Sequence, residues 1–108
     1  PDTEFDAIYT ANTAHIMAWH EVQAMFQRAA SSLQANGLFC LYGPMKYAGE
    51  FTSESNRLFD QRLREQVAHR GIREFDAINK LAMDADLILL DDHDMPANNR
   101  LLIFEKIG

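Results

Sequence analysis

The chain has 108 residues, 47% hydrophobic and 24% charged, a length and composition that suit one globular domain near the lower end of common sizes, with a real core. Its net charge of −6, from ten basic and sixteen acidic residues, argues against a nucleic-acid scaffold, because phosphate binding needs clustered Lys and Arg. The longest apolar run, Leu38-Phe39-Cys40-Leu41-Tyr42, is far too short to cross a bilayer, so no membrane role is expected.

The charge is uneven. Lys46 to Arg73 carries a local +2 and the remainder −8, and the middle segment reads as a solvated helix face rather than an anion site. Cys40 is the only cysteine, so an intrachain disulfide is excluded. Inside an apolar strand it reads as a small core hydrophobe, and the chain fits a reducing cytoplasm. No signal peptide or initiating Met opens the chain. Pro1 lies only a few residues before a strand, and the expectation is that residues 1–108 form one partial domain whose earlier half lies upstream.

Phe5 to Ala11 reads as the first strand, apolar enough to be buried. His20 to Gln34 reads as a helix, because Val22, Met25, Phe26, Ala29 and Leu33 fall on one stripe. Asn36-Gly37 suits its end, since both tolerate left-handed backbone. Leu38 to Tyr42 has no charge on either face, as expected of a parallel strand covered by helices. Gly43-Pro44 breaks it. Residues 45–55 read as a polar loop, long enough to act as a lid. A helix follows from about Ser55 to His69, capped by Thr52 or Ser55 and stopped by Gly71. Arg73 to Ala85 reads as a third helix. Leu87 to His93 and Arg100 to Ile107 read as two strands of a hairpin across the short linker 94–99.

The order is β-α-β-α-α-β-β. Right-handed crossovers make the first three strands parallel and the last antiparallel, with helices on the faces. The turns after the first three strands then open on one sheet edge, where such folds bind ligands. Those turns hold the candidate site residues. Asn12 and His15 lie in the first, where His15 is either a general base near neutral pH or a helix-entry residue bonded to backbone. Asn12 is either a ligand-orienting amide or a turn cap. Tyr42, Gly43 and Pro44 form the second turn, with the Tyr42 hydroxyl at the mouth of the site or wetting a core aromatic. Asn98 and Asn99 in the third either meet substrate or supply positive φ. Asn56 and Arg57 stand at the start of the second helix as lid residues. Trp19 reads as core packing beside the first helix. Asp91-Asp92-His93-Asp94 resembles a metal cluster only in composition, because alternate strand side chains point to opposite faces, and no metal site is expected.

The runs Asn12 to Ile16, Tyr42-Gly43-Pro44, Gly49 to Asn56 with Phe59-Asp60, and Met95 to Arg100 together resemble a methyltransferase-like family catalogued as domain-of-unknown-function family 938. That family is similar to class I S-adenosylmethionine (SAM) methyltransferases. The resemblance implies a Rossmann-like seven-stranded sheet of which this chain supplies the fourth to seventh strands. It implies that Ala11, Asn12 and Thr13 face the cofactor's methionine end and that Asn12 orients a small-molecule methyl acceptor whose proton His15 takes. Tyr42, Gly43, Pro44, Asn56, Asn98 and Asn99 would line the acceptor. The family's Gly-rich first turn and ribose-binding acidic residue are not in this sequence, so SAM binding is expected of the full-length protein. Asp84-Ala85-Asp86 stands where a Gly is expected, and Asp tolerates left-handed geometry there. Two other readings stay open: a non-catalytic interaction module that keeps the fold, and a different α/β enzyme that uses His15 as base. The strand 5–11 would be central in a complete sheet, so its bare edge here is expected to drive self-association.

Overall fold

A computed structural model describes residues 4–107. The expectation drawn from Pro1 lies outside those residues. The first strand forms as expected, β1 over Phe5–Ala11, followed by α1 over Trp19–Ser32 and β2 over Leu33–Gly43. The α1 stripe buries Val22, Phe26, Ala29 and Ala30. The helix begins a residue earlier than predicted because Glu21 reaches back to the Ala18 N–H at 2.8 Å, half of a capping box. It ends earlier too. Leu33 turns to an extended conformation, is fully buried, and pairs with Phe5 across the sheet. Asn36-Gly37 therefore lies within the β2 span rather than at a helix end, with Asn36 at φ 66° where the β1–β2 register shifts.

The predicted polar loop at 45–55 is ordered by pairing. Met45–Tyr47 forms β3 and Glu50–Phe51 forms β4, joined through Ala48 and Gly49, both at positive φ. Next come α2 over Glu54–Gln66, β5 over Arg73–Glu74 and α3 over Phe75–Asp84. Ser53, not Thr52 or Ser55, caps α2 by accepting the Asn56 N–H at 3.1 Å. Arg73 and Glu74 leave the predicted third helix to run parallel to β3, giving a small sheet of order β4-β3-β5 that periodicity did not reveal. The segment is thus stitched into this sheet, with the Tyr47 hydroxyl donating to Asp92 at 2.7 Å, rather than left as the unpaired loop its composition suggested.

The chain closes with β6 over Leu87–Met95 and β7 over Asn99–Lys106. The main sheet has the order β1-β2-β7-β6. β1 runs parallel to β2, and β7 runs antiparallel to both β2 and β6. The three-residue turn Pro96–Asn98 carries the positive φ at Ala97 and Asn98 (61° and 60°), whereas Asn99 is extended at φ −94°. Asp86 holds the left-handed position before β6, at φ 61°.

The core lies on one face of the main sheet. Phe39, Leu41, Leu87, Leu102 and Phe104 meet Phe26 and Ala30 of α1 and Ile78 and Ala82 of α3. Phe26 stands edge-on to Phe39 at 5.2 Å and to Phe104 at 5.8 Å. Burying each such ring stabilises by about 1.5–3 kcal/mol. The opposite face carries Tyr9, Cys40, Ile88 and Ile103, and here the expectation of helices on both faces and of a buried β1 fails. Tyr9 is 64% exposed and Ile88 49%, because α1 and α3 pack on the same side and β1 pairs along a single edge. Among the described residues, no helix is long and apolar enough to cross a membrane.

Candidate active site

Three turns meet at the C-terminal edge of the parallel strands. Asn12 leaves β1 in a left-handed conformation, φ 58°, which an Asn tolerates. Its N–H donates to the Tyr42 carbonyl at 2.8 Å, fixing the first turn against the second. The Thr13 carbonyl then accepts the Ile16 and Met17 N–H groups at 3.1 and 3.2 Å, and this tight turn drives His15 inward. His15 is only 6% exposed. Its ring stands edge-on to Phe59 of α2 at 5.4 Å. Gly43 of the second turn lies beside both residues: a Cβ there would make ordinary contacts, 3.7 Å from His15 Nδ1 and 3.9 Å from the Asn12 nitrogen.

Burial lowers the His15 pKa from its usual value, and the nearby Arg73 guanidinium lowers it further. Both effects favour the neutral imidazole, the form a general base needs. The His15 carbonyl, not its ring, is what bonds to backbone, accepting the Gly71 N–H at 2.9 Å.

The third turn joins through asparagines. Asn99 donates to the Tyr42 hydroxyl and to the Pro96 carbonyl, both at 3.3 Å. Asn56 is buried, and its amide donates to Thr52 Oγ1 and to the Asn98 carbonyl, both at 3.1 Å. Asn98 in turn donates to Ser55 Oγ at 3.3 Å. Asn12, His15, Tyr42, Gly43, Asn56, Asn98 and Asn99 thus form one connected rim, with Pro44 buried beneath it. Asn56 acts as a strut between α2 and the hairpin rather than as a lid residue, and Arg57 pairs with Glu54 on the exposed side of α2. Ala11 sits in the sheet opposite Tyr42. Thr13 is turned away: its hydroxyl pairs with Thr10 Oγ1 at 2.9 Å and points toward Met25 Sδ of α1.

A cavity of about 740 Å³ lies elsewhere, in the groove between β1 and α1 lined by Phe5, Ile8, Thr10, Met25, Arg28 and Phe39. None of the seven rim residues lines it. It lies beside β1, the edge strand of the main sheet, and the rim, where three turns converge, is the better candidate for chemistry.

Periodicity overlooked Arg73, Gly71 and Asp60, which hold the His15 turn from below. Arg73 donates to the carbonyls of Ala14, Met17 and His69 and lies 5.5 Å over the half-buried Trp19 ring. Asp60, buried, accepts the Ile72 N–H at 2.8 Å and pairs with Arg64. In the sequence Gly71 read as a helix stop, Asp60 as part of the Phe59-Asp60 run and Arg73 as the start of a helix, with nothing to join the three to His15. In the 91–94 cluster, Asp92 is taken by Tyr47 and Arg100, while Asp91 and His93 pair with each other at 3.7 Å on the surface. Among the described residues no three His, Cys, Asp or Glu side chains gather as a metal site.

The sheet order, the antiparallel strand between two parallel ones, and the helices α1 and α3 define an α/β fold of the methyltransferase type. Solved O-methyltransferases share it. An O-methyltransferase family 2 protein from Planctomyces limnophilus, solved in complex with apigenin, superposes with a TM-score of 0.86 at 17% identity, over 96% of this chain and 31% of that one. An O-methyltransferase family protein from Burkholderia thailandensis gives 0.83 at 15% identity, over 98% and 31%. Human N-acetylserotonin methyltransferase in complex with SAM gives 0.80 at 14% identity, over 95% and 30%. The chain spans about a third of the length of each of these proteins. It belongs to the family described as protein of unknown function DUF938, which matches residues 1–106.

Proposed function

We propose that this chain is the C-terminal part of a SAM-dependent methyltransferase domain that acts on a small-molecule hydroxyl acceptor. The observation that carries this reading is the buried, neutral imidazole of His15 beside Gly43 and Asn12, at the sheet edge where three turns meet. SAM, when bound, supplies a methyl group on a positively charged sulfur. Ala11, Asn12 and Thr13 would hold its methionine end. The Asn12 side chain suits that task, being exposed and without a hydrogen-bond partner among the described residues. The Thr13 hydroxyl is already engaged, so that residue serves through its main chain.

Asn12 orients the acceptor hydroxyl. With SAM bound, His15 would take the proton that the acceptor hydroxyl gives up. A pKa below the usual histidine value keeps the base unprotonated through the neutral range. The Tyr42–Asn99 and Asn56–Asn98 pairs, with Gly43 and Pro44, shape the acceptor's side of the rim. Displacement at carbon needs alignment and exclusion of water more than acid–base power, and a rim braced by its own hydrogen bonds supplies alignment.

A small acceptor is favoured by the acidic charge, and the one free thiol suits a reducing cytoplasm. The exposed face at Tyr9 and Ile88 and the groove along β1 suit the remainder of a larger sheet. Expressed alone, the chain is expected to self-associate along β1. The same exposed surfaces favour a second reading, a non-catalytic interaction module with the fold retained. Calorimetric titration of the full-length protein with SAM separates the two. Binding weakened by Asn12→Ala supports the enzyme, whereas a well-folded protein that takes up no SAM supports the module.

A further inference from the structure

We propose that Arg73 is the positioning residue of this site, its guanidinium clamping the turn that carries His15 and so fixing where the imidazole lies. The inference rests on His15 being the base. Arg73 Nε donates to the Ala14 carbonyl at 3.2 Å, and one terminal nitrogen donates to the carbonyls of Met17 and His69. The residue just before His15 and one two residues after it are therefore gripped by a single planar group. Gly71, two residues before Arg73, holds the His15 carbonyl itself.

The clamp is anchored on two sides. Arg73 pairs with Met45 in the small sheet, and the adjacent Ile72 N–H is held by the buried Asp60 of α2. Stacking over Trp19 fixes the plane of the guanidinium against the start of α1. Gly71 leaves room for the Asp60–Arg64 pair, since a Cβ there would lie 2.8 Å from the Arg64 guanidinium and 3.1 Å from Asp60 Oδ1. A lysine at 73 would keep the charge but not the fork that reaches three carbonyls.

The charged groups around the turn are Arg73 from β5 and, behind it on α2, Asp60 and Arg64. Arg73 is the one whose charge acts on His15, where it adds to burial in favouring the neutral ring. The clamp thus sets the place of the base and adds to burial in favouring its neutral form.

The test uses the full-length protein with Arg73→Met, Arg73→Lys and His15→Gln. NMR follows the His15 imidazole titration and the exchange of the Ile16 and Met17 amides. Arg73→Met should raise the His15 titration midpoint and speed the two amides by about tenfold or more. Methyl transfer should fall about tenfold or more in kcat, with KM for SAM little changed, as displacement of a positioned group does. Arg73→Lys should hold the titration close to wild type yet still release the amides. A folded Arg73→Met protein with unchanged titration and exchange overturns the clamp. If that variant does not fold, protected amides in Arg73→Lys overturn it instead. Full methyl transfer by His15→Gln would remove the base reading alone, while the exchange rates still decide the clamp.

Discussion

Replacing Asp60 with Ala should destabilise the protein through one specific group. Ile72 is 1% exposed, and its N–H has Asp60 Oδ1 as partner at 2.8 Å. Ala at 60 leaves that donor buried without an acceptor, a loss of about 1–3 kcal/mol. The Asp60–Arg64 ion pair adds little. Arg64 is half exposed, its side chain 52% accessible, and such pairs contribute about 0–1 kcal/mol. The expected total is about 1–4 kcal/mol, read from paired urea denaturation of the full-length wild type and variant. Asp60→Asn keeps one acceptor oxygen and should lose about half as much. Hydrogen exchange gives the local signature: the Ile72 and Gly71 amides should lose protection, while those of Phe39 and Phe104 should not. A change below about 0.5 kcal/mol, the level of ordinary surface substitutions, would refute the assignment of Asp60 as the anchor of the segment beneath His15.

Further outcomes follow from the same structure. Phe26→Ala should cost about 3–5 kcal/mol, because the ring contacts both Phe39 and Phe104 in the core; thermal unfolding reads it, and a loss near 1 kcal/mol would contradict the packing. Ala97→Gly should stabilise by up to about 1 kcal/mol, since Ala97 sits at φ 61° where a Cβ is strained. Protonation of His15 is disfavoured in the folded protein, so as pH falls below the ordinary 6.5 the unfolded chain takes up the proton first. Stability is complete above that pH and declines as pH drops through the folded value. His15→Gln should flatten that decline, and an unchanged slope would remove His15 as its source.

Much of the fold was legible because its signals are local. The α1 stripe, the uncharged β2 and the β6–β7 hairpin each announce themselves in spacing or turn chemistry. The convergence of Asn12, Tyr42 and Asn98 on one edge follows from strand direction alone. What periodicity could not reach depends on partners distant in the chain. Leu33 fits the α1 stripe, yet pairing with Phe5 draws it into β2 and moves the helix end. Arg73 and Glu74 look helical until β3 is there to pair with them. Residues 45–55 read as a polar loop because the Tyr47–Asp92 bond spans 45 positions. The exposed side of β1 could not be foreseen from Phe5-Asp6-Ala7-Ile8-Tyr9, which would be equally at home in the middle of a larger sheet. Within the site, residue type marked Asn12 and His15, but nothing in the spacing marked Arg73, whose partners are backbone carbonyls.

The central claim is that this rim transfers a methyl group with His15 as base. The direct measurement is the pH profile of methyl transfer from isotopically labelled SAM to a panel of small hydroxyl acceptors. It is made on the full-length protein, wild type and His15→Gln. The account predicts product with wild type, a rate that falls on the acid side as His15 protonates, and loss of both the rate and that acid limb in His15→Gln. Transfer at the wild-type rate and with the wild-type pH profile in His15→Gln would contradict it.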